Sequence, residues 1–308
     1  MRLFFSIINK FLKNAVVIFA YHDVSNKPSP FSKRYNLNIP PDVFYSQVRA
    51  INNIFNIISP SDLINNHFEM PAALFTFDDG FKSYFKNALP ILEEFNCPSI
   101  NFINYDVIRG ELFWPCLTTY LCNYDTNYAE YKKTNKINDC KKPEYLFMNE
   151  NSVDAYIKQS NKEKLYNLVR EYQGEFANET DLIKSNEFHM SFLGSHLYKH
   201  LNCAIIGKDR LKQMQKKNVN YLSKFPNFIN FFAYPFGQPI DCFNDKTNNI
   251  LTQLKINKIF SSSSTINFDT SHYLLDRIDL NDKVNDEQSL MFYLAKRLIR
   301  TGLNKHVI

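Results

Sequence analysis

The chain has 308 residues, 44% of them hydrophobic and 15% aromatic, which is enough to bury the core of one large domain or two small ones and excludes a disordered chain. The formal charge of +5 is spread along the sequence without runs of Lys or Arg, so nucleic acid is not an expected partner. Six cysteines (Cys97, Cys116, Cys122, Cys140, Cys203 and Cys242) follow no C-x-x-C spacing, and a chain of this size folds without disulfides, so they read as reduced thiols.

At the N-terminus Leu3, Phe4, Ile7, Ile8, Phe11 and Leu12 recur at helical spacing beside Arg2, Lys10 and Lys13. Lys10, Lys13 and Asn14 interrupt the apolar stretch and no small-residue cleavage site follows, so the segment does not read as a signal peptide, and a cytoplasmic protein is expected. Strand-like apolar runs follow at 15–21, 56–59, 72–77, 99–103, 192–194, 231–234, 258–261 and 273–277. Helical patterns lie between several of them, at 41–54, 82–95, 153–172 and 208–225. Strands alternating with helices predict a parallel sheet, closed as a barrel or open. Residues 110–189 break that rhythm, being polar, tyrosine-rich and helical, and they read as an insertion, a candidate lid, within a single domain spanning 1–308. Near the C-terminus Leu290, Met291, Leu294, Leu298 and Ile299 recur at helical spacing beside Lys296, Arg297 and Arg300. Both terminal helices suit packing on the chain's own core, the commoner fate of such faces, or peripheral contact with an anionic membrane at its inner face. Neither is long and apolar enough to span a bilayer.

Three strand ends carry polar clusters. In Phe75-Thr76-Phe77-Asp78-Asp79-Gly80 an apolar strand runs into two carboxylates and a glycine. Asp-Gly alone reads as a solvated turn. His196 and His200 are four apart, a spacing that on a helix puts two imidazoles within reach of one ion, although two surface histidines are the more frequent explanation. Beside Asp79 the pair gains meaning, because two imidazoles and a carboxylate leave coordination positions open for water and substrate. The third cluster is Tyr234-Pro235-Phe236-Gly237. Only seven glycines occur in the chain, and Gly80, Gly194 and Gly237 sit beside these segments, where backbone must bend sharply or approach a ligand.

In order, T-F-D-D-G (Thr76 to Gly80), H-x-x-x-H (His196 to His200) and Y-P-F-G (Tyr234 to Gly237) resemble the first three motifs of the polysaccharide deacetylases, the NodB-homology or carbohydrate esterase 4 family. With Tyr21-His22-Asp23-Val24 and Leu275-Asp276-Arg277-Ile278 the resemblance spans most of the chain outside the insertion. It implies a distorted (β/α) barrel and removal of an N-acetyl group from an amino sugar in a polysaccharide or lipid-linked precursor, as in lipopolysaccharide or capsule biosynthesis. It also implies Asp78 as general base, one divalent metal on Asp79, His196 and His200, substrate contacts from Tyr234, Pro235 and Phe236, and the Phe236 backbone N–H as oxyanion donor. Zinc suits the ligands best, with cobalt, nickel and manganese as alternatives.

The third motif departs from the family pattern at Ala233, where an arginine usually orients the base. Arg277 is the candidate replacement, against an equally weighted surface pairing with Asp276 or Asp279. Among the histidines after His200, His272 and His306 are poor candidates for the general acid, and His22, directly after the first strand, is the better one. That placement resembles the permuted order of the poly-N-acetylglucosamine deacetylases; the competing reading is a histidine bonded to Asp23 or a loop carbonyl. Other functions fit less well. A sugar N-deformylase would look the same in sequence, a glycosyltransferase would leave both histidines idle, a non-haem iron oxygenase would not need Asp78, and a non-catalytic glycan-binding module would not need an intact ligand set.

Overall fold

The computed structural model describes residues 2–137 and 141–304, so Cys140 and His306 lie outside the described residues. Strands β1 (Val16–Tyr21), β5 (Ala72–Phe77), β6 (Ser99–Ile103), β7 (Ser191–Ser195), β8 (Phe228–Ala233), β9 (Lys258–Phe260), β10 (Leu274–Leu275) and β11 (Ile278–Asp279) form one parallel sheet in the order β10-β9-β8-β7-β6-β5-β1-β11, with β4 (Asn56–Ile57) paired to β5. Two short strands, β2 (Asp23–Val24) and β3 (Asn38–Ile39), pair beside it. The long strands are apolar on both faces because both faces are covered. Val16, Ile18, Leu74, Ile100, Phe102, Phe231, Ala233 and Phe260 fill the interior of the curved sheet. Val17, Phe19, Phe75 and Phe77 point outward into a layer shared with the terminal helices, while Leu193, Phe232 and Tyr234 point into the layer under the β6–β7 connection.

The sequence run at 273–277 is not one strand. Leu274–Leu275 pairs with β9, Ile278–Asp279 pairs with β1, and only Asp276 and Arg277 lie between them. The chain thus steps from one edge of the sheet to the other in two residues, which requires the edges to curl within reach of each other. Asn267 staples the same seam by accepting from the Asp276 amide at 2.8 Å and donating its own backbone amide to Val16 O at 3.2 Å. The result is a barrel-like α/β fold, as the sequence predicts.

Helix Pro41–Ile54 occupies the expected span, but the helical pattern at 82–95 opens with a π turn, Tyr84–Ala88, before Leu89–Glu94, and the one at 153–172 is two helices, Glu150–Gln159 and Lys162–Gln173, separated where Asn161 caps the second. Between β6 and β7 the chain is helical, and its buried Phe113, Leu117, Tyr156 and Val169 pack with Phe31 and Leu201 in the outer layer. Helices Arg2–Leu12 and Glu287–Asn304 bury Ile8, Leu12, Leu290 and Leu294 in the core. No helix among the described residues is long and apolar enough to cross a membrane.

Candidate active site

A strand's side chains alternate between faces, so the residue two beyond the last inward position emerges at the mouth of the barrel interior. That rule places the site. Ala20 and Thr76 are followed two residues on by His22 and Asp78, Gly194 by His196, Phe260 by Ser262, and Leu275 by Arg277. His22, Asp78, Asp79, His196, His200 and Ser262 line one cavity of about 460 Å3 at the C-terminal ends of the strands. Gly194 is required by packing, since a Cβ there would lie 2.5 Å from the Phe102 ring.

The helix expected to join His196 and His200 is absent. Ser195 ends β7 and the following residues form a turn in which Leu197 (φ 65°) and His200 (φ 46°) are left-handed, folding the second imidazole back on the first. Asp79 (φ 73°) is left-handed as well, so both adjacent carboxylates turn into the site although an extended strand would send them to opposite faces. One ligand atom from each of Asp79, His196 and His200 lies within 4.8 Å of the others. Asp79 Oδ1 is 3.4 Å from His196 Nε2 and 3.2 Å from His200 Nε2. His196 Nδ1 donates to Ala233 O at 2.8 Å; a carbonyl only accepts, so the proton sits on Nδ1 and the Nε2 lone pair faces Asp79. His200 is held edge-on between the rings of Phe113 and Phe236, at centroid distances of 5.0 and 4.6 Å.

Asp79 Oδ1 is buried and accepts no hydrogen bond among the described residues, an arrangement that is costly unless a cation completes it. Burial would raise this carboxyl, but His200 and His196 hold it well below the ordinary carboxylate range, while burial lowers His200 against the pull of Asp79. A carboxylate with two neutral imidazoles is a donor set that fits a divalent transition metal, zinc foremost.

Arg277 is not on the surface. Fully buried, it grips Asp78 with Nη1 to Oδ1 and Nη2 to Oδ2, both at 2.7 Å. Its remaining donors reach Ser261 O (3.1 Å), Thr76 Oγ1 (3.3 Å) and Ser262 Oγ (3.2 Å), so all five guanidinium hydrogens have acceptors. Burial pushes the Asp78 carboxyl up, and Arg277, helped by His196, overcomes that and leaves it below the usual value. His22 Nε2 lies 3.9 Å from Asp78 Oδ2, whereas His272 is exposed and paired with Asp269 at 3.2 Å.

The third motif divides by parity. Phe236 (φ 62°) lines the cavity, and its backbone N–H donates to no group among the described residues. Gly237 follows at φ 66°, where a Cβ would sit 2.7 Å from Ser262. Tyr234, expected to touch substrate, faces the other way: it is buried, stacked on Phe243 at 4.3 Å, and donates to Asn248 Oδ1 at 2.8 Å. Pro235 is also buried and outside the lining. Sequence reasoning missed the far wall, where Tyr35 meets Tyr145 (5.4 Å between rings) with Phe113 and Leu146 from the helical connection. A tyrosine-rich insertion was the only hint in the sequence. Among the described residues no Lys or Arg lines the cavity.

No family model matches this chain, and no curated protein does. Solved structures do match. The Streptococcus pyogenes deacetylase PplD, in complex with acetate, aligns at a TM-score of 0.59 with 17% identity, over 91% of this chain and 97% of that one. A de-N-acetylase from Aggregatibacter actinomycetemcomitans gives 0.58 and 15% over 91% and 99%, and IcaB from Ammonifex degensii gives 0.57 and 15% over 90% and 96%. At these identities the likeness establishes that the chain shares the fold of these proteins.

Proposed function

We propose that the chain is a metal-dependent carbohydrate de-N-acetylase that hydrolyses the acetamide of an amino sugar. The observation that carries this reading is the pairing, at the floor of one cavity, of a convergent Asp79-His196-His200 ligand set with an adjacent carboxylate, Asp78, held by Arg277 in its ionised form. A divalent ion on those ligands would acidify water and polarise the amide carbonyl. Asp78 takes the proton from the water whose oxygen forms the new bond to the carbonyl carbon. The Phe236 amide is free to donate to the oxygen that gains charge. As the carbon–nitrogen bond breaks, the nitrogen needs a proton, and the reading assigns that step to His22, whose Nε2 lies 3.9 Å from Asp78 Oδ2 on the cavity wall. The products are acetate and a free amine.

The lining supports a sugar. Aromatic rings at Tyr35, Tyr145, Phe113 and Phe236 suit a sugar face. The reading is of an amino sugar within a polysaccharide or a lipid-linked precursor. The test is incubation of the zinc-loaded chain with N-acetylated glycans, followed by mass spectrometry. Loss of acetyl with acetate release is expected. Release of formate from an N-formyl sugar, with acetamides untouched, would reassign it as a deformylase, and no acyl release from either would sink the reading.

A further inference from the structure

Helices Arg2–Leu12 and Glu287–Asn304 pack against each other on the outer layer over β1, with the rings of Phe5 and Phe292 6.1 Å apart. Their inward stripes are fully used by the core through Ile8, Leu12, Leu290 and Leu294. Yet Ile7 (46% exposed), Phe11 (62%) and Ile299 (65%) stand in water. A helix that only covers a core has no need of phenylalanine and isoleucine on its solvent side. The same two helices expose Lys10, Lys296 and Arg300, and Lys13 follows the first helix, while neither the first helix nor residues 288–304 contain an Asp or Glu. Apart from Glu287 in the first turn of the second helix, which accepts from Asn53, the outer surface of the pair thus combines apolar side chains with positive charge.

We propose that this surface docks on an anionic lipid bilayer, with Ile7, Phe11 and Ile299 entering the acyl boundary and the cations meeting headgroup phosphates. Charge complementarity selects that occupant: a second copy of the chain would bring Lys against Lys, whereas an anionic leaflet attracts every one of these side chains. With few apolar groups available the contact is reversible. It stands apart from the chemistry of the cavity, and where the deacetylase reading holds it brings that cavity to lipid-linked substrates.

The experiment is co-sedimentation of the full chain with vesicles of phosphatidylcholine, with and without phosphatidylglycerol. The chain is expected to pellet with the anionic vesicles, less so as salt is raised, and to stay in solution with phosphatidylcholine alone. Ile7→Ser/Phe11→Ser and Lys10→Gln/Lys13→Gln change exposed residues away from the cavity, so each should keep the far-UV spectrum and the turnover of a soluble substrate. Each pair should lower the apparent partition constant on the order of tenfold or more. Failure of the parent chain to pellet with anionic vesicles at low salt would overturn the proposal, as would undiminished binding by either folded pair. A lipid-free dimer that either pair breaks apart would assign the surface to a second copy instead.

Discussion

Replacing Arg277 by Met removes a completely buried cation whose two terminal nitrogens hold both oxygens of Asp78 at 2.7 Å. Methionine replaces the stem of arginine only as far as Nε, so the perturbation removes the charge together with the guanidinium's hydrogen bonds and its contact with the Phe102 ring. Asp78 is left buried without its counter-charge, a situation that destabilises proteins by about 3–5 kcal/mol. The pair also fixes the ionisation of the base. Burial raises the Asp78 carboxyl and Arg277 lowers it further than that, so its folded value sits below its unfolded one, and the pair stabilises the fold above the unfolded carboxylate value and progressively less as pH falls. Without Arg277 the burial effect acts with less opposition, the carboxyl rises, and the acid limb of the pH–rate profile moves to higher pH. The assay is urea unfolding of Arg277→Met, Asp78→Asn and the double variant in one metal state, with turnover measured alongside. Arg277→Met should lose about 3 kcal/mol or more and most of its activity. The double variant should regain over half of that stability and none of the activity, because the buried charge has gone but so has the base. Arg277→Met within ~1 kcal/mol of the parent, with its acid limb unmoved, would refute the pairing as the support of the base.

The two aspartates separate by role. Asp79→Ala should lose bound zinc in equilibrium dialysis, whereas Asp78→Asn should keep it and lose turnover by a factor on the order of a hundred or more; equal metal loss would merge the roles. His22→Ala should retain metal and lose far more rate on the amide than on an activated acetate ester, whose leaving group needs no proton, and equal losses would move His22 to binding or architecture. Tyr145→Ala, which opens the aromatic far wall, should raise KM with a smaller change in kcat. Tyr234→Phe should leave KM alone and cost about 1 kcal/mol of stability, since among the described residues its hydroxyl bonds to Thr247 and Asn248 and faces away from the cavity.

The strand ends were legible because a buried parallel strand is a continuous apolar run, and a charged pair after such a run has few places to go. The spans of β5 and β6 and the helix at 41–54 follow directly. The turn carrying His200 is not legible, because nothing in Leu197-Tyr198-Lys199 announces left-handed backbone, which the packing around His200 and the Asn104 side-chain amide, donating to His196 O and Leu197 O, sustain. Tyr234 was misplaced by reading the motif as a block, when the alternation set by Phe231 and Ala233 already turns it away. The split at 274–279 escaped because two-residue strands carry no periodicity. The shell around Arg277 had one faint mark, the serines 261–264 after β9, two of which bond it.

The two-residue step that closes the barrel also sets an order of events during synthesis. Asp79, His196 and His200 all leave the ribosome before residue 201, while the arginine that ionises the base lies at 277, on the stitch between the sheet's two edges. A growing chain therefore carries its proposed ligand set seventy-seven residues ahead of the counter-ion of Asp78. On the proposed reading, metal capture can precede competence, and the hydrolytic apparatus stays unarmed until the last strand reaches β1 and the barrel shuts.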